Sequence, residues 1–125
     1  MSIAVTAPPT DRVVCETFAL WEMVRTVGFE PDQITIHGLR ANGESLIVMT
    51  VERNGKAAHI TIAPGDEAEL TRVLAAIPWY NAAPPGWAKR NLDTSKCRAH
   101  AVFILSALAQ AGVMPGATLR PDEVN

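Results

Sequence analysis

The stretch ITIHGLRANGESLIVMTVERNGKAAHITIA, residues 34–63, carries two Asn-Gly pairs, Asn42-Gly43 and Asn54-Gly55. Asn-Gly is the preferred pair for a two-residue type I′ hairpin, because both positions need positive φ. Two such turns make a three-stranded antiparallel meander and set both of its registers. Met49 then stands opposite Ile36 on one side and Ile60 on the other. One face becomes Ile34, Ile36, Gly38, Ile47, Met49, Val51, Ala58, Ile60 and Ile62. A slip of one residue at either turn would scatter that set over both faces, so the two turns support each other. The opposite face collects Thr35, His37, Leu39, Leu46, Val48, Thr50, Ala57, His59 and Thr61, with no charge before Glu52. Leu39, Leu46 and Val48 give this second face an apolar end that calls for a cover.

Helical patterns flank the meander. Thr10 suits a cap and Asp11 a first turn, and Val13, Val14, Phe18, Leu20, Trp21, Val24 and Val27 recur at helical spacing. Gly28 then suits a helix C-cap, with Phe29 folding back as its apolar partner. The expected helix runs from about 11 to 27. Asp66 and Glu69 have capping-box spacing ahead of Leu70, Val73, Leu74 and Ile77, and Pro78 is expected to stop that second helix. A last helix is expected over about 95–111, capped by Asp93 or Thr94 and ended by Gly112. Cys97, Ala101, Ile104, Leu105 and Leu108 line its apolar face. The order is α-β-β-β-α-α, helices segregated from antiparallel strands, which is the α+β class.

At 125 residues the chain reads as a single domain, 1–125, with irregular ends at about 1–9 and 113–125. Hydrophobic residues make up 48% and charged residues 19%, which suits a packed core. No apolar run approaches the ~20 residues of a membrane span. The opening MSIAVTAPPTDR has neither a basic stretch nor a long apolar one, so no export signal is expected. Cys15 and Cys97 fall in expected helices and read as small packed hydrophobes instead of a disulfide. A cytoplasmic location follows as the expectation.

Helix, meander and helix over residues 10–77 resemble the double-stranded RNA-binding domain in order and length. That family reads A-form RNA with a basic cluster at the start of its second helix. The matching helix here opens PGDEAE, with Asp66, Glu67 and Glu69. Carboxylates there repel phosphate, so the resemblance implies the topology and departs from the family at its RNA-binding residues.

Charge is unevenly spread. The net charge is −2, yet residues 78–100 hold Lys89, Arg90, Lys96 and Arg98 against Asp93 alone. The remainder holds seven cations and twelve anions. Trp79, Tyr80 and Trp87 fall in the same stretch, among Pro78, Pro84, Pro85 and Gly86. A net-acidic chain is poorly suited to duplex nucleic acid. A local basic patch beside flat rings suits an acidic protein surface or an anionic small molecule, a nucleotide included. Packing of the rings over the apolar end of the sheet is the competing explanation.

The remaining constellations carry less chemistry. His37 and His59 share a face but stand roughly 12 Å apart at Cβ, too far for one metal ion. With Thr50 between them and Thr35 beside it, they form a hydroxyl-imidazole row and a second candidate surface. Cys97 and His100, even with Cys15, fall short of the ligand set of a structural zinc site. Ser45, Ser95 and Ser106 lack the context of a nucleophile, and the glycines sit in turns and caps. No metal, no cofactor and no catalytic residue is expected.

The leading expectation is a small non-catalytic binding protein that meets another protein through residues 78–100. Compact chains of this kind are common among phage-encoded inhibitors of host or defence proteins. Three alternatives stand beside it. One is binding of a nucleotide or other anion at the N-terminus of the last helix. The second is a homodimer or larger assembly formed through edge strand 34–40 or the Thr/His face. The third is a small enzyme using His37, His59 or His100.

Overall fold

The structure is a computed structural model and describes residues 11–92 and 98–114, with the side chains of 98–103 excepted. Its elements are α1 (Arg12–Thr26), β1 (Ile34–Ala41), β2 (Glu44–Arg53), β3 (Lys56–Pro64), α2 (Glu67–Ala75), α3 (Ile77–Ala82), α4 (Trp87–Asn91) and α5 (Arg98–Gln110). A single 3₁₀ turn, Pro31–Gln33, leads into β1. The class is α+β, and the strands form one antiparallel sheet in the order β1-β2-β3.

Both hairpins turn as the Asn-Gly pairs require. Asn42 and Gly43 have φ of 53° and 79°, and Asn54 and Gly55 have 55° and 76°. The registers follow: Met49 pairs with Ile36 and with Ile60, and Thr50 with Thr35 and with His59. One correction falls at the end of β3. Val48 pairs with Thr61 but Ile47 pairs with Ala63, so Ile62 is the extra residue of a bulge. Gly65 explains part of it. A Cβ there would lie 2.6 Å from Ile47 Cδ1, so the chain leaving β3 passes close over that core side chain.

The apolar face of the sheet and the helices form one core. Phe18 and Val24 of α1, Val73 of α2, Leu108 of α5, and Ile47, Met49 and Val51 of β2 are all buried in it. Gly38 lets α2 approach: a Cβ on it would lie 3.1 Å from Leu70 Cδ2. Two helices end alike. Beyond α1, Gly28 donates to Arg25 O and Phe29 to Val24 O, with φ of 112° at Gly28. Beyond α5, Gly112 donates to Ala109 O and Val113 to Leu108 O, with φ of 74° at Gly112. Each is a Schellman closure, and each buries the residue after its glycine, Phe29 and Val113.

The helix starts differ from expectation in part. Asp11 is the cap of α1, accepting from the Val13 and Val14 amides, and Thr10 lies outside the described residues. Asp66 and Glu69 form the expected capping box of α2. Asp93, Thr94 and Cys97 also lie outside the described residues. Pro78 does not lead into a loop. It falls in the first turn of α3, where a missing N–H costs nothing, and after a Pro-Pro-Gly turn the chain enters α4. Residues 77–91 are therefore two short helices, where one irregular link was expected.

Candidate functional site

The aromatic stretch packs on α1. Phe18 is the hub: Trp87 stacks on it at 5.2 Å and 10°, and Tyr80 meets it at 5.1 Å and 51°. Tyr80 also meets Trp21 at 5.5 Å. The Tyr80 ring is 5% exposed, and its hydroxyl donates to Val73 O. Burial pushes its phenol well above the usual range, with the nearby Cys15 and Asp11 adding to that. Trp79 and Trp87 are half-buried. Trp87 therefore lies on the helical side of the core, and the expectation that it folds over the apolar end of the sheet is corrected. Phe18 offers a flat apolar partner, whereas Leu39 and Leu46 face the opposite side.

Glu22 secures the next turn. Its two carboxylate oxygens accept from the Ala88 amide at 3.1 Å and the Lys89 amide at 3.2 Å. The N-cap of α4 is Gly86, which has no side chain to do this. No local pattern marks Glu22 for the role, since the helix it caps lies far along the chain. Lys89 and Arg90 occupy the last turn of α4, where cations suit the helix dipole. Both are exposed, and Arg90 also donates to Pro85 O at 3.0 Å. Neither makes an ion pair among the described residues. Lys96 and the side chains of Arg98 and His100 lie outside the described residues. Of the seven residues proposed on this surface, Tyr80 and Trp87 pack on α1, Trp79 is half-buried, and Lys89 and Arg90 are exposed.

The second candidate surface is the open sheet face. Thr35, Leu39, Ala57, His59 and Thr61 are exposed on it. The centre strand is buried there, with Val48 at 3% and Thr50 at 8% exposure. At the apolar end Val48 is buried and Leu46 half-buried, while Leu39 is 48% exposed. Across the middle runs a hydrogen-bonded row: His37 Nε2 to Thr50 Oγ1 at 2.9 Å, and Thr50 Oγ1 to His59 Nδ1 at 2.9 Å. The register alone places these three side chains in line, and β2 brings the hydroxyl between the rings.

One groove, of about 480 Å³, is lined by Leu39, Arg40, Leu46, Asp66 and Leu70 at the end of the sheet. Another, of about 620 Å³, lies by Asp11, Arg12, Glu16, Ile62 and Glu69. Among the described residues no three metal-ligating side chains come together. Cys15 is half-buried on α1, and burial, followed by the charges of Asp11 and Glu16, pushes its thiol up and away from the thiolate. No family model matches the chain, and neither a curated protein nor a solved structure matches it.

Proposed function

We propose that this chain is a non-catalytic binding protein whose contact surface is the open face of the sheet. The observation that carries the reading is the character of that face. Thr35, Leu39, Ala57, His59 and Thr61 of its two edge strands are exposed, and Leu39, at 48%, stands out beside the half-buried Leu46. A hydrogen-bonded His-Thr-His row stiffens its middle. Exposed threonine, histidine and leucine side chains on one face suit a protein contact, which mixes apolar and polar groups.

The charges favour a different protein over a second copy. The charged side chains of this face are Glu52, as expected, and Glu44, which the pairing with Ala41 adds, at the two ends of β2. Folding one copy over another about the strand direction brings Glu52 against Glu52 and Glu44 against Glu44. A partner with an apolar centre and a cationic rim meets no such repulsion.

The test compares three full-length variants as immobilised baits in extract of the native host. These are Leu39→Asp, His59→Glu, and the double charge reversal Lys89→Glu with Arg90→Glu. The proposal predicts that a protein held by the unmodified chain is lost from the first two and kept by the third. Hydrogen exchange on that complex should then slow in β1–β3. Loss from the third variant alone would move the contact to the cations of α4 and overturn the proposal.

A further inference from the structure

One hydroxyl joins two imidazoles on the open face. Thr50 Oγ1 lies 2.9 Å from His37 Nε2 and 2.9 Å from His59 Nδ1. A threonine hydroxyl has one proton to give and two lone pairs to accept with. It therefore donates to one ring and accepts from the other, and two arrangements satisfy the row. In the first, His37 donates from Nε2, the hydroxyl donates to His59 Nδ1, and the proton of His59 sits on Nε2. In the second, His59 donates from Nδ1, the hydroxyl donates to His37 Nε2, and the proton of His37 sits on Nδ1. The tautomer of one ring dictates that of the other across all three strands.

We propose that His37, Thr50 and His59 form a proton-transfer path across the sheet. A proton that binds Nδ1 of His37 in the first arrangement releases the Nε2 proton to Oγ1. The hydroxyl passes its own proton to Nδ1 of His59. Bonds to hydrogen form at His37 Nδ1, Thr50 Oγ1 and His59 Nδ1, and those at His37 Nε2 and the original hydroxyl break. The positive charge has moved from His37 to His59, and no proton is lost. His59 then gives its Nε2 proton to water, which leaves the second arrangement.

The surroundings suit this direction of flow. His37 is half-buried and His59 is exposed, so His59 is the end open to solvent. Thr50 is 8% exposed, and among the described residues its hydroxyl has no other partner to turn to. The charged side chains of this face are Glu44 and Glu52, both on β2 and both exposed. The face positions of β1 and β3 hold Thr35, Leu39, Ala41, Ala57 and Thr61 and no charge. The group that feeds the path is an acidic proton presented at His37 Nδ1, such as the carboxylic acid or ammonium of a bound partner. The path stands whether or not that face is the main contact surface, because the free protein already contains it.

The experiment is long-range ¹H–¹⁵N correlation of the imidazole rings of the free full chain through a pH titration. Each ring should report two steps, its own protonation and that of the other ring, with neutral tautomers matched as in one of the two arrangements. Thr50→Val keeps the shape and removes the hydroxyl, so each ring should then titrate in a single step. Thr50→Ser should restore the second step. His59→Gln should reduce His37 to one step, which keeps the test open if the valine variant fails to fold. Single-step curves in the unmodified chain, or two-step curves that persist in both Thr50→Val and His59→Gln, would overturn the path.

Discussion

Removing the carboxylate of Glu22 should loosen α4 and cost the whole fold measurably. The carboxylate accepts from the Ala88 and Lys89 amides, at 3.1 and 3.2 Å, and Gly86 offers no side chain in its place. Loss of an N-cap side chain typically costs about 1 kcal/mol and reaches about 2 in proteins. Bonds to an ionised acceptor are stronger than neutral ones, and Glu22 makes two. Glu22→Ala is therefore expected to cost about 2 kcal/mol. In a chain of this length about 1 kcal/mol moves Tm by roughly 4 °C, so a fall of about 8 °C is expected in a thermal melt. Glu22→Gln keeps one acceptor oxygen and should cost about half as much. Exchange of the Ala88 and Lys89 amides should accelerate in both variants, more in the alanine. A melt within about 2 °C of the unmodified chain, with those amides still protected, would refute the assignment of Glu22 as the cap of α4.

Two further outcomes follow from the packing and charge around α1 and the bulge. Gly65→Ala places a Cβ 2.6 Å from Ile47 Cδ1, and Ile47 is fully buried, so chemical denaturation should show a loss of about 1–3 kcal/mol. Burial pushes the Asp11 carboxyl up, but the hydrogen bond and charge of Arg72 and the Val14 and Val13 amides outweigh it, leaving it below its usual 3.8. A group lowered by folding stabilises the fold above its unfolded value and loses that contribution as pH falls through the folded one. Stability measured by denaturant should therefore decline below about pH 4. Asp11→Asn should flatten that decline; an unchanged acid limb would sink the reading.

Local turn chemistry made much of this fold legible. Asn42-Gly43 and Asn54-Gly55 each demand one turn type, and the turn type carries the register with it, so the Thr50–His59 pairing followed from residues a few positions away. Gly28 and Gly112 mark helix ends for the same reason. What escaped depends on distant partners. Pro78 is compatible with ending one helix or opening the next, and the choice rests on Tyr80 and Trp87 meeting Phe18 of α1. The bulge at Ile62 reflects how the chain passes Ile47, which no hydrophobic alternation records. Of the candidate sites, the hydroxyl-imidazole row was readable because it is a matter of register. The division of residues 78–92 into packed rings and exposed cations was not, because an aromatic serves a core and a ligand equally well.

The two faces of the sheet have separate fates under mutation. Positions of one parity hold the core together, while those of the other leave much of β1 and β3 exposed. Substitution at Thr35, Leu39, Ala57, His59 or Thr61 therefore removes no packing from the interior. A lineage of such chains is free to drift in what it recognises while its scaffold stays under constant selection. Sequence comparison among true relatives should show this as a two-residue rhythm, slow and fast in alternation along β1 and β3.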